Sequence, residues 1–305
     1  MHYSFLFPGQ GSQKVGMGRD FYTHHDIGKQ HFEEANSILG RNLAEICFNG
    51  PEESLTATQN TQPALFTVEA IITDVLKEKG VLPVVTAGHS LGEYSALYAA
   101  GFFSFSDGLK LVAKRGELMA KVGKETPGAM AAVLGMPVDQ IRAVLAKVTS
   151  GIVVSANENS PEQNVISGEV AAVSDACEQL KAAGAKRAVP LPVSGAFHSP
   201  LMQKAADEFS SFIAAFRFSS PQCPVIANVT AQKETSVEKV KELLIKQLVS
   251  PVRWVDCMRT LAASDHGRCL ETGPGAVLKN LAKKSFEQLN VLSCDTVENL
   301  YSVIQ

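Results

Sequence analysis

Several common signals are missing from this sequence. Its six cysteines, at 47, 177, 223, 257, 269 and 294, include no C-x-x-C pair. That excludes zinc-ribbon and thioredoxin-type motifs, and scattered cysteines with apolar flanks fit a reducing compartment. No His, Cys or acidic grouping has metal-ligand spacing, so no metal is expected. Charge of one sign is also missing: charged residues make up 19% of the chain and the net charge is −3. Nucleic-acid binding usually leaves a basic footprint, and none is present. No apolar run approaches the ~18 residues of a membrane span. The apolar stretch Tyr3–Phe7 is cut by Pro8-Gly9-Gln10-Gly11, too early for the core of a signal peptide. These absences lead us to expect a cytoplasmic protein with no nucleic-acid or membrane partner. Repeats, low-complexity tracts and long linkers are missing as well.

What remains is a chain of 305 residues, 45% apolar, long enough for one large domain or two modest ones. Apolar runs alternate with helical patterns. Tyr3–Phe7 and Val84–Gly88 read as strands. Pro63–Lys79 reads as a helix with Thr61 as its cap and Gly80 as its stop. Leu91–Ala100 and Phe105–Val122 read as further helices. This rhythm predicts an α/β fold with a largely parallel sheet. The middle of the chain differs. Ala129–Leu134, Ile152–Ala156, Asn164–Ser167 and Arg187–Leu191 read as strands, with a turn at Asn159-Ser160-Pro161. Helices are predicted over Val138–Val148 and Ala171–Ala183. The order β-α-β-β-α-β is that of a ferredoxin-like domain. Residues 126–194 are therefore expected to be a small domain inserted into a large one formed by 1–125 and 195–305. In the returning segment, Pro200–Ala215, Val237–Val249 and 276–286 read as helices, and Val225–Ala227 and Cys269–Glu271 as strands.

The sharpest local signal is Gly88-His89-Ser90-Leu91-Gly92, between a predicted strand and a predicted helix. A G-x-S-x-G nucleophile elbow needs that context. The turn would lift the Ser90 hydroxyl above the sheet and aim the Leu91 N–H at an oxyanion forming there. A serine hydroxyl needs a base. His24, His25 and His31 lie in a polar segment and read as surface residues; His89 is inside the elbow and reads as pointing away from Ser90. His198 sits in the loop Pro192–Pro200, where the insert rejoins the large domain. It is either the base or a loop histidine capping the next helix. No triad acid is evident, so a dyad whose imidazole is oriented by a backbone carbonyl is equally open. On the 105–122 helix, Leu111, Val112, Arg115, Leu118, Met119 and Val122 share one face at about 100° per residue. Arg115 thus interrupts an apolar stripe. It must reach solvent, pair with a structural carboxylate, or clamp the carboxylate of a substrate.

Together these segments resemble a known family. Phe7-Pro8-Gly9-Gln10-Gly11-Ser12-Gln13, Gly88-His89-Ser90-Leu91-Gly92-Glu93-Tyr94-Ser95-Ala96-Leu97, Lys114-Arg115-Gly116 and Ala196-Phe197-His198 are similar to malonyl-CoA:acyl carrier protein transacylases. So are Asn159-Ser160-Pro161, Gln247-Leu248, Pro251-Val252 with Trp254, and Glu271-Thr272-Gly273-Pro274-Gly275. The resemblance implies an α/β-hydrolase-like core with an inserted ferredoxin-like subdomain. It implies Ser90 as nucleophile, His198 as base, Arg115 as holder of the malonyl carboxylate, and the Gln10 and Leu91 N–H groups as oxyanion hole. It also implies that Gln247 orients His198, chiefly through its carbonyl. The substrates would be malonyl-CoA and the phosphopantetheine thiol of acyl carrier protein, in fatty acid synthesis, with a monomeric enzyme and no cofactor. Malonyl-selective members carry His-Ala-Phe-His before the helix. Gly195 departs from that tetrad, while Phe197 should fill the space of an α-methyl group. Lys181, Lys186, Arg187, Lys279, Lys283 and Lys284, at element ends, are candidates for docking an acidic carrier protein.

Overall fold

A computed structural model of the chain describes residues 2–193 and 195–304, so Ser194, the expected end of the insert, lies outside it. The strands are β1 (Tyr3–Phe7), β2 (Pro83–Gly88), β3 (Gly128–Leu134), β4 (Val153–Ser160), β5 (Gln163–Glu169), β6 (Arg187–Pro190), β7 (Val225–Ile226), β8 (Lys233–Glu234), β9 (Arg268–Glu271) and β10 (Leu292–Ser293). They form two sheets. The first has order β10-β9-β1-β2-β7-β8 and is parallel except for the β7/β8 pair. The second has order β4-β5-β3-β6 and is antiparallel throughout. The molecule is thus an α/β protein with a mostly parallel sheet and a separate antiparallel one.

β1 is buried along its whole length, as a central parallel strand covered on both faces must be. Its alternation divides the core. Tyr3, Phe5 and Phe7 face a cluster containing Phe66, Leu97 and Val112. Leu6 faces a second cluster, with Val85, Ala87, Ile226 and Trp254. The long helices Thr58–Glu78 and Phe105–Glu125 cover the first face; Trp254–Ala262 and Val277–Ser285 cover the second. All six cysteines are free and buried. Burial pushes the Cys47, Cys269 and Cys294 thiols up to about 12, which keeps them protonated.

The structure moves several expected boundaries. The first long helix begins at Thr58, five residues before Pro63. Pro63 cannot donate to the Gln59 carbonyl one turn back, and that carbonyl instead accepts from Arg41 Nη2 at 2.8 Å. Thr61 is no cap: its hydroxyl donates to the Leu55 and Ala57 carbonyls. The β4–β5 turn falls at Pro161-Glu162, because β4 runs on to Ser160. The segment 200–215 splits into a 3-10 turn, Pro200–Met202, and a helix, Gln203–Ile213. His31 is not a surface residue. It is buried against Phe105, with ring centroids 4.2 Å apart, and its Nε2 lies 2.9 Å from Asp74 Oδ2.

The two sheets meet along β4. Asn157 bridges to Val252, just before the helix Trp254–Ala262. The Val252 N–H donates to Ala156 O at 2.8 Å, and the Glu158 N–H donates to Val252 O at 2.9 Å. Side chains alternate along β4, so Asn157 and Asn159 line one cleft while Glu158 and Ser160 line the opposite side.

Candidate active site

The turn after β2 is compressed to a degree only glycine permits. A Cβ on Gly88 would sit 1.9 Å from the Gly92 carbonyl, and one on Gly92 would sit 2.1 Å from Phe7 O. Between them Ser90 takes φ 52°, in the left-handed region that costs a side chain ~1–3 kcal/mol. The turn is held from outside. Ser90 N–H donates to Asn228 Oδ1 at 2.8 Å, and Asn228 Nδ2 donates to Gly88 O at 2.7 Å. His89 packs against Trp254 and its Nε2 lies 2.7 Å from Asn159 Oδ1, on the second sheet. The Ser90 hydroxyl is thereby fixed at the base of a cleft of ≈ 380 Å³ lined by both sheets' elements.

His198 reaches the same point from the opposite wall. Its φ is 58°, and the following Ser199, not His198, caps the 3-10 turn by accepting from Leu201 N–H. His198 Nε2 lies 2.8 Å from Ser90 Oγ, and Nδ1 lies 2.8 Å from Gln247 O. A carbonyl can only accept, so Nδ1 carries the hydrogen and Nε2 is left to accept from the Ser90 hydroxyl. No carboxylate contacts the ring among the described residues. Burial, reinforced by the Arg115 charge, pushes His198 down to about 3. The imidazole is therefore neutral, the form that can take a proton.

Arg115 is 1% exposed. Its Nη2 donates to Ser90 Oγ at 3.1 Å and to Gln247 Oε1 at 2.9 Å, and its Nη1 donates to Gln62 Oε1 at 2.7 Å. The guanidinium carbon lies 5.4 Å from the Tyr94 ring centroid. Its partners are neutral, and it makes no salt bridge among the described residues. The nearest acid in the network is Glu93, one amide away: Gln247 Nε2 donates to Glu93 Oε2 at 2.6 Å. Gln10, Leu91 and Phe197 also line the cleft. The Gln10 and Leu91 backbone N–H groups donate to no acceptor among the described residues. Within the described residues, no group of three or more His, Cys, Asp or Glu could hold a metal ion, and no helix is long and apolar enough to cross a membrane.

Of the residues expected to carry chemistry, Ser90, His198, Arg115, Gln10, Leu91 and Phe197 thus border one cleft, and Gln247, fully buried behind it, contacts His198 and Arg115. Glu93, Gln62, Asn228 and Asn159 were not singled out. The lysines disperse: Lys284 and Lys186 flank the β4–β5 turn, through Gln163 and Glu162, and Lys279 and Lys283 line a small separate hollow.

Known proteins give a consistent picture. Residues 4–301 match the acyl transferase domain family. A malonyl CoA-acyl carrier protein transacylase from Bacillus subtilis is 44% identical over 304 residues, covering 99% of this chain and 96% of the relative. One from Synechocystis is also 44% identical, covering 99% of this chain and 100% of its own. Among solved structures, an acyl carrier protein S-malonyltransferase from Vibrio cholerae superposes with a TM-score of 0.95 at 42% identity, over 99% of this chain and 100% of that one. A malonyl-transacylase in complex with a type II PKS acyl-carrier protein gives 0.96 at 40% identity, over 99% and 98%.

Proposed function

Because the chain belongs to the acyl transferase domain family, among the malonyl-CoA:acyl carrier protein transacylases, we propose that it moves a malonyl group from CoA to the phosphopantetheine thiol of an acyl carrier protein, through malonyl-Ser90. The observation that carries this reading is a buried guanidinium, without an ion-pair partner among the described residues, touching the hydroxyl of the elbow serine. A hydrolase of simple acyl groups has no use for such a cation, and the unpaired charge is costly to bury. A substrate carboxylate would offset it with two parallel hydrogen bonds.

The steps follow from the contacts. His198 Nε2 accepts the Ser90 proton as Oγ attacks the thioester carbonyl. The oxyanion forms toward the Gln10 and Leu91 N–H groups, which have no competing acceptor among the described residues. Collapse expels the CoA sulfur, which takes the proton from His198. The carrier's thiol then reverses the sequence. Arg115 has a second effect here. Its charge is one of the causes that depress His198, so a carboxylate paired with Arg115 relieves that depression and makes His198 a stronger base. A malonyl group would then be favoured in the chemical step as well as in binding. Phe197 bounds the acyl pocket, and its ring lies so close to Gly195 that a Cβ there would meet it at 2.7 Å. The ring fills space that a side chain at 195 would take.

The same reading extends to the architecture. The insert, described over residues 126–193, is ferredoxin-like and sits in an α/β-hydrolase-like core, a reading supported by the β-α-β-β-α-β order and the strand order β4-β5-β3-β6. The enzyme acts as a cytoplasmic monomer without a cofactor, in fatty acid synthesis, and the lysines beside the β4–β5 turn meet the acidic carrier. The test is malonyl-CoA turnover with and without a pantetheine thiol. A transferase releases CoA once per active site and then waits for the thiol. Continuous release of free malonate without thiol would make the protein a hydrolase.

A further inference from the structure

The most unusual buried acid in the site belongs to no step above. Glu93 lies in the first turn of the helix Gly92–Ala100 and is 3% exposed. Its Oε2 accepts from Gln247 Nε2 at 2.6 Å and from the Asn228 N–H at 3.3 Å. Gln247 Nε2 also donates to Ser90 O at 2.9 Å. These acceptors hold the amide nitrogen, so the amide oxygen must face the other way, toward Arg115 Nη2. Gln247 thus joins the acid to the cation, and its own backbone carbonyl holds His198.

We propose that Glu93 is the positioning residue of the carboxylate site: through the Gln247 amide it fixes the Arg115 guanidinium, and its charge offsets Arg115 while no acyl carboxylate is bound. This rests on the malonyl-transfer reading of the same cleft. The physical reason is charge balance. A buried cation with only neutral partners is costly, and a carboxylate one amide away reduces that cost without occupying the position a substrate carboxylate needs. Once a malonyl carboxylate sits on Arg115, the site holds two anions and one cation, and Glu93 is the anion with the weaker partner. Its protonation then favours substrate. The charged or titratable groups facing Glu93 are Arg115 from the helix Phe105–Glu125, Cys257 from Trp254–Ala262, and Tyr94 on its own helix. Of these only Glu93 changes charge near neutrality: burial raises it to about 7, against the pull of Gln247, Asn228 and Arg115.

The experiment is the ratio of kcat/KM for malonyl-CoA to that for acetyl-CoA, from about pH 6 to about pH 9, in the wild type and in Glu93→Gln. The ratio cancels effects on Ser90 and His198 common to both substrates. In the wild type it should fall on the order of tenfold as Glu93 ionises and competes for Arg115. In Glu93→Gln, which keeps an acceptor but loses the charge, it should be flat. A flat ratio in the wild type overturns the proposal without any variant. So does a Glu93→Gln ratio with the wild-type slope, which is what an equal loss for both substrates at every pH would leave and which would make Glu93 a packing residue. Failure of malonyl-CoA to acylate the wild type would instead overturn the transfer reading itself.

Discussion

In the proposed reaction the selectivity would rest on Arg115, whose place was legible at the residue scale. A guanidinium on the stripe Leu111, Val112, Leu118, Met119 and Val122 had to find a partner, and all of these residues are buried in the fold. The partners themselves were overlooked, although the same signal marks them. Glu93 shares a face with Ala96, Leu97 and Ala100, and Gln62 shares one with Leu65, Phe66 and Glu69. Asn228 gives no such signal, because it lies in a loop whose contacts are set by distant chain. Replacing Arg115 by Ala should cost malonyl transfer about 3–5 kcal/mol, the range for breaking a buried charged pair. Acetyl transfer should fall much less, because a neutral acyl group never used the cation. Lysine should rescue only in part, since an ammonium cannot make the two-pronged contact. Steady-state kcat/KM for malonyl-CoA and acetyl-CoA checks this, and an equal loss for both would reduce Arg115 to a packing residue.

Among the elements, the strand–elbow–helix unit was the easiest to read, because its glycines and periodicity agree. Its tightness depends on β1 as well: Gly92 packs on Phe7 O, and His89 N–H donates to the same carbonyl at 2.9 Å. Gly92→Ala should therefore destabilise the fold by about 3 kcal/mol or more, as overpacking against backbone does. The midpoint of chemical denaturation measures it; an unchanged midpoint would mean that the elbow relaxes freely. Other elements were harder. Of the four helices between Arg19 and Thr56, three are five to seven residues long, too short to show a helical period, and the fourth, Asp26–Leu39, runs 14 residues and was not read from the sequence. β8 and β10 are two residues each and exist only through their neighbours. The helix start at Thr58 was hidden because Pro63 ordinarily marks a first turn, and the Arg41 donor that permits it lies outside the helix.

The whole molecule places chemistry between two sheets. The parallel sheet supplies Ser90 from the end of β2, and the antiparallel sheet supplies Asn157, Asn159 and Val165 as the facing wall. The chain crossing back between them brings His198, and a distant helix end brings Gln247. The alternation of apolar runs forecast an α/β fold and the change of rhythm forecast a second sheet. How the two sheets lean together depends on the β4 bridge at Asn157 and Val252, a pairing across 95 residues that no local pattern announces. That convergence gives the central claim its most direct test: intact-protein mass spectrometry after mixing with malonyl-CoA in the absence of thiol. The wild type should gain one malonyl group and lose it when a pantetheine thiol is added, while Ser90→Ala, folded as judged by circular dichroism, should gain none. Malonylation of the Ser90→Ala protein would contradict the account.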